Sequence, residues 1–195
     1  MLKLPCALIA ITLPLAAQDR AIPDKSIDVE RSTITIHVGK AGLLSAAGHD
    51  HWVNAPISSG TINESAPRVE FTVQTAKMRV KPDSKVDAKT EAQIQKDLEE
   101  MTLETQKYPE IRFQSTRIEK TTDEGRDEWR VDGTLSLHGV SKPVRVSVKR
   151  EGEAYTTRTV LKQTDFGIKP ISVGGGTIKV KNEIEIEFQI YTRRP

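Results

Sequence analysis

Between Trp129 and Arg150 apolar and polar side chains alternate almost without a break. Trp129, Val131, Gly133, Leu135 and Leu137 take every second position, with Arg130, Asp132, Thr134, Ser136 and His138 between them. Successive side chains of an extended chain point to opposite faces of a sheet, so this pattern predicts a strand with one buried face. Gly139 to Pro143 interrupts it, and Val144, Val146 and Val148 then resume against Arg145, Ser147 and Lys149. Glycine supplies the backbone freedom of a turn and proline suits a strand's first residue, so the two runs are predicted to pair as an antiparallel hairpin.

The same period recurs along the chain. Asp28 to Val38 reads as a first strand with Ile34, Ile36 and Val38 on one face. Ile57 to Ile62 carries a Ser-Ser-Gly suited to a bend, and Val69, Phe71 and Val73 alternate with Glu70 and Thr72. Ile111 and Phe113 alternate with Arg112 and Gln114. Tyr155, Thr157, Thr159 and Leu161 follow the Gly152 turn. The last strand sets Ile184, Ile186, Phe188 and Ile190 against Glu183, Glu185, Glu187 and Gln189. One segment differs: Ile94, Leu98 and Met101 fall at the helical period, with Thr90 and Gln93 as a capping box and Tyr108-Pro109 as the stop. Asp165 to Gly176 reads as a long loop punctuated by glycine and proline.

These elements predict an all-β fold with one helical insertion. No βαβ unit is visible, so the sheet is expected to be antiparallel. One helix cannot cover the apolar face of so many strands, whereas closing the sheet on itself buries that face and removes the edges. The expectation is a closed antiparallel barrel of about eight strands, a size that can hold a ligand where its walls are not filled. Few inward residues are aromatic, which leaves room for a hydrocarbon-lined cavity. The predicted lining is Ile34, Ile36, Val38, Phe71, Val73, Phe113, Trp129, Val131, Leu135, Leu137, Val144, Val146, Phe188 and Ile190.

Composition narrows the function. The 195 residues suit one core, and 29 basic residues against 27 acidic ones leave a formal charge of +2. The two signs are interleaved along the strands, so no clustered footprint for nucleic acid is present. Residues 1–17 begin with a weakly positive tripeptide, run through an apolar stretch and end in Ala16-Ala17, which predicts a cleaved secretory signal peptide. The only cysteine, Cys6, lies within it, so the mature chain is expected to form no disulfide and to work in the periplasm or outside the cell.

Three stretches carry a resemblance. Tyr108-Pro109-Glu110-Ile111-Arg112-Phe113-Gln114-Ser115, the Gly133 to Val144 hairpin and Asp165-Phe166-Gly167-Ile168 are similar, in order and spacing, to elements of the YceI-like family. The hairpin is the most specific of the three. The resemblance covers a domain at residues 24–192 and implies a lipocalin-like barrel, exported in bacteria, that holds a polyisoprenoid or similar amphiphilic lipid without catalysing a reaction. A carrier of this kind is expected to need no cofactor beyond the lipid and to make transient contact with a membrane. Where many members carry a histidine after the first strand, this chain presents Gly48-His49-Asp50-His51.

Candidate chemistry outside the cavity is sparse. His49 and His51 would face one side of an extended segment, and imidazole suits Zn, Cu or Ni. A structural zinc site wants four ligands, so a polar ring at the mouth, meeting the ligand's head group or simply solvated, is the preferred role for the pair. A metal- or redox-linked module centred on them is the alternative, and a filled barrel serving as an interaction domain is another. His37 and His138 are expected to be solvent-exposed. No Gly-x-Ser-x-Gly elbow places a serine, histidine and acid together, and Gly174-Gly175-Gly176 does not lead from a strand into a helix. Hydrolase and dinucleotide chemistry are therefore unsupported.

Overall fold

The computed structural model describes residues 24–42, 50–64, 66–123, 126–173 and 178–193. The segment read as a signal peptide, His49 and the Gly174-Gly175-Gly176 run lie outside these residues. The strands are β1 (Lys25–Ser26), β2 (Thr33–Ala41), β3 (His51–Asn54), β4 (Ile57–Asn63), β5 (Arg68–Gln74), β6 (Arg79–Val80) and β7 (Glu110–Asp123). They continue with β8 (Arg126–Leu137), β9 (Val140–Glu151), β10 (Ala154–Lys162), β11 (Ser172–Val173) and β12 (Ile178–Ile190). Among the described residues a single α-helix, α1 (Ala88–Asp97), interrupts them.

All ladders are antiparallel, in the order β1-β4-β5-β7-β8-β9-β10-β12-β2-β3-β6, with β11 added beside β12. The all-β class and the single helix thus match the sequence reading, and the strands form one strongly curled sheet. The count and the closure differ. The described sheet has 12 strands, and the two at its ends, β1 and β6, are not paired with each other. Curling brings the segment after β1 to the end of β12 instead. Ile27 forms an isolated bridge with Thr192, the Ile27 N–H donates to the Gly60 carbonyl at 2.9 Å, and the Asp28 N–H donates to that of Tyr191 at 2.8 Å. The described sheet is therefore strongly curled, with this bridge where a closed barrel would have a further ladder.

The predicted hairpin is the longest regular part. β8 and β9 pair from Glu128↔Lys149 to Leu137↔Val140, and β7 and β8 pair beyond a bulge between Ser115 and Arg117. His138 and Gly139 close the β8–β9 turn with φ of 52° and 75°. Two consecutive left-handed residues make the type I′ turn that matches strand twist, and histidine is among the few non-glycine residues that tolerate the first position. At the second, an added Cβ would sit 2.6 Å from the Tyr108 ring.

The first strand starts later than predicted, because Asp28 Oδ1 accepts from the N–H groups of Glu30 and Arg31 and turns the chain before Thr33. The helix is capped by Asp87, which accepts from Lys89 N and Thr90 N, and Thr90 lies inside the first turn instead of capping it. At its far end a π-turn follows, with the Leu103 N–H bonded to the Leu98 carbonyl at 2.9 Å. The extra residue rotates the apolar stripe: Leu103 is buried, and Met101, expected on that stripe, is 64% exposed. The core gathers inside the curl, around Ile34, Val53, Ile57, Val73, Leu137, Phe166 and Ile190.

Candidate functional site

The inward side chains leave a cavity of about 470 Å³ between the walls of the curled sheet. Every residue of the predicted lining borders it: Ile34, Ile36, Val38, Phe71, Val73, Phe113, Trp129, Val131, Leu135, Leu137, Val144, Val146, Phe188 and Ile190. The reason is the register. Phe113 faces Leu135 and Phe71, Val131 faces Val146, and Phe188 faces Ile34, so alternate positions of neighbouring strands share the inner face. Phe71 and Phe113 stack with centroids 5.4 Å apart, which fixes one wall.

One end of the cavity carries most of its charges, with Lys162 bordering it at the other. Asn63, Glu64, Lys120, Asp127 and Arg150 border the charged end, at the β4–β5 turn, the Asp123↔Arg126 end of the β7–β8 hairpin and the β9–β10 turn. The Tyr155 phenol donates to Glu64 Oε1 at 2.7 Å, tying β10 to the β4–β5 turn across the opening. Lys25 Nζ donates to the same oxygen at 3.1 Å, and Lys120 pairs with Asp127 at 2.6 Å. Trp129 meets Tyr155 edge-on at 5.7 Å, with Lys120 over the indole and Arg150 over the phenol ring, each 5.8 Å from the ring centroid. Burial, and then the Glu64 carboxylate, push the Tyr155 hydroxyl up to about 12. The hydrogen bonds from Tyr155 and then Lys25 hold Glu64 below its ordinary range.

The other end is plugged. Leu98 and Leu103 from the helix and π-turn, Met78, and Phe166 and Ile168 from the segment after β10 close it with apolar side chains. Phe166 sits in a short 3₁₀ turn, Gln163–Phe166, that ends at Gly167 with φ 72°. Gln163, buried in this turn, donates to the Lys181 carbonyl at 2.8 Å. Periodicity alone assigned this stretch to a loop, and only the Asp165 to Ile168 motif marked it.

The histidines depart from expectation. His51 lies on β3 opposite Val38, on the inner side of the sheet, but does not border the cavity. The charged cluster bordering the cavity is the collar, whose residues lie in or beside turns that resemble any solvated loop in sequence. His37 is not free in solvent: it stacks on Trp52 at 4.5 Å, with Nε2 3.3 Å from Asp50 Oδ2. His138 has a side chain only 10% exposed, with Nε2 2.7 Å from Glu104 Oε2 and its ring 4.2 Å from Tyr108. The left-handed turn carries it off the solvated face and locks the π-turn segment to the β8–β9 hairpin. Among the described residues, no three His, Cys, Asp or Glu side chains converge on a point where a metal could sit.

A curled antiparallel sheet around a mostly apolar cavity, with a cluster of charged groups at one end, places the molecule in the lipocalin-like class of folds. The chain belongs to the YceI-like domain family, whose match spans residues 26–192. It is 27% identical over 197 residues to a UPF0312 protein of Shewanella putrefaciens, covering 95% of this chain and 96% of the relative. A UPF0312 protein of Pseudomonas putida is 33% identical over 93 residues, 43% of this chain and 47% of the relative. Among solved structures it resembles BcnA of Burkholderia cenocepacia, with a TM-score of 0.57 at 16% identity, covering 84% of this chain and 98% of that one. It also resembles a polyisoprenoid binding domain from Saccharophagus degradans implicated in plant cell wall breakdown, with a TM-score of 0.56 at 13% identity over 87% and 98% of the two chains. At such identities these two likenesses establish the fold.

Proposed function

We propose that this protein is a non-catalytic carrier that holds the hydrocarbon chain of a polyisoprenoid or similar amphiphilic lipid in the cavity, with the lipid's polar end at the collar. The observation that carries this reading is the continuous apolar lining of a cavity of about 470 Å³, which sits within the roughly 300–1,000 Å³ of small-molecule sites. Each methylene-sized group moved from water to such a lining contributes about 0.8 kcal/mol. Ten give on the order of 8 kcal/mol gross, before the losses of translational freedom and of chain flexibility. Chain burial therefore supplies the affinity, and the collar of Glu64, Tyr155 and Arg150 selects among polar ends. The polyisoprenoid-binding neighbour with the same fold supports the substrate class. Residues 1–17 would deliver the chain to the periplasm and be removed there.

Organic extraction of gently purified protein, followed by mass spectrometry, tests the reading. A prenyl lipid in the extract is the expected result, and its removal should lower the Tm because a ligand bound only to the folded state stabilises that state. An empty extract, together with no saturable uptake of an added prenyl chain, would refute it. N-terminal sequencing of protein from a periplasmic fraction checks the leader.

A further inference from the structure

The wall of the cavity is unevenly stitched. β8 and β9 pair along almost their whole length, but β9 and β10 pair only through Glu151↔Ala154, Arg150↔Tyr155 and Lys149↔Thr156. Just past that point the Thr157 hydroxyl donates to the Ser147 carbonyl, a side chain standing in for a ladder bond. From there to Leu161 no backbone pairing joins the two strands among the described residues. The chain returns to β9 only at the Gln163–Ile168 segment, where a Cβ on Gly167 would stand 3.9 Å from Val140 Cγ2. The result is a slit in the hydrogen-bond ladder, about 13 Å long from Thr157 to Leu161 at 3.3 Å per residue and bounded at both ends.

The sequence of β9 fits an edge along that slit. Leu137↔Val140 closes a two-residue turn and is a hydrogen-bonded pair, so Pro143, opposite Thr134, falls in a non-hydrogen-bonded pair with β8. Its ring nitrogen therefore faces β10, where a continuing ladder would need a donor. Lys142, opposite Leu135, has inward parity yet is exposed. Proline and an inward-directed lysine are devices that keep a strand edge from accepting another strand. They speak against a peptide adding to the sheet here. On β10 the inner face likewise turns polar at Thr157 and Thr159, while Val160 on the outer face is 55% exposed. Val144, Val146, Thr159 and Leu161 border both the slit and the cavity.

We infer that the slit between β9 and β10 is a side portal through which an apolar chain enters and leaves the cavity laterally, without threading end-first past the charged collar. This rests on the carrier reading and adds the route. The geometry supports it because no backbone ladder holds the two strands together beside the cavity-lining Val144, Val146, Thr159 and Leu161, whereas the plug shuts one end and the Tyr155–Glu64 tie crosses the other.

The test is a staple. In a Cys6→Ser background, Arg145→Cys with Val160→Cys places thiols directly opposite if the Lys149↔Thr156 register is continued. They are joined with a short, disulfide-cleavable bismaleimide. Ser147→Cys with Arg158→Cys gives a second staple nearer the stitched end, and Thr35→Cys with Glu187→Cys, across the intact β2–β12 ladder, serves as control. The probe is cis-parinaric acid, a polyene fatty acid that brightens in apolar surroundings, followed by stopped flow. Stapling the slit should slow both uptake and release by roughly tenfold, as closing a gate does, with Kd little changed and both rates restored on reduction. The second staple should slow them less, and the control should not. Unchanged rates in both stapled forms would overturn the portal while leaving the carrier reading intact. No saturable binding of the probe to the unstapled protein would instead overturn the carrier reading and, with it, the portal.

Discussion

The two ends of the cavity solve opposite problems with different chemistry. The plugged end is held by packing: Phe166 and Ile168 are almost wholly buried, and Leu103 and Met78 close over the same space. The collared end is held by hydrogen bonds and charge pairs among half-exposed groups, of which Tyr155 with Glu64 is the best formed. Buried apolar contacts cost kilocalories to remove, whereas surface ion pairs contribute little. The plug should therefore set stability and the collar should set which ligand is accepted.

The largest expected effect tests the first half. Phe166→Ala should cost about 3–5 kcal/mol in urea unfolding, because it removes a fully buried ring and leaves a void. A loss under about 1 kcal/mol would mean that the plug does not anchor the fold. Gly139→Ala comes next, at about 1–3 kcal/mol, since its φ of 75° and the Tyr108 ring both oppose a side chain. Asp87→Ala should cost about 1 kcal/mol by uncapping α1, the helix whose end covers the plug.

At the collar, Tyr155→Phe should cost about 0.5–1.5 kcal/mol yet alter which lipid head groups are retained, as read by competition binding. It also has a pH signature. The Tyr155 hydroxyl titrates near 12 in the folded protein against 10.0 ordinarily, so the folded state keeps a proton that the unfolded state has lost. Its contribution is fully present below pH 10 and fades as the pH rises toward 12. Thermal melts across that range should decline more shallowly in the phenylalanine variant. Equal slopes would show that the phenol is not protected at the collar.

What could be foreseen from the chain follows physical period. Inward positions such as Val131, Val146 and Phe188 are legible because alternation depends only on the extended backbone. The two-residue strands β1, β6 and β11 are too short to alternate, so neither the strand count nor the manner of closure could be read. Met101 misled because the π-turn adds a residue to the helical count, which nothing in Leu98–Thr102 announces. His138 misled because its side chain leaves the strand's parity at a left-handed turn. The collar was missed for another reason: Glu64, Lys120 and Arg150 acquire meaning only when three separate turns converge.

The register of β12 has a consequence in time. It seats between β10 and β2, uniting residues near the start of the domain with those near its end. During synthesis β7, β8 and β9 can zip together as soon as they emerge, while β2 waits for a partner that is made last. Assembly should thus proceed from the middle outward, with the final seam as its slow event, as contacts between distant parts of a chain dictate. A ribosome-stalled nascent chain ending before residue 178 should therefore protect its central meander from protease while leaving Thr33–Ala41 open to cleavage.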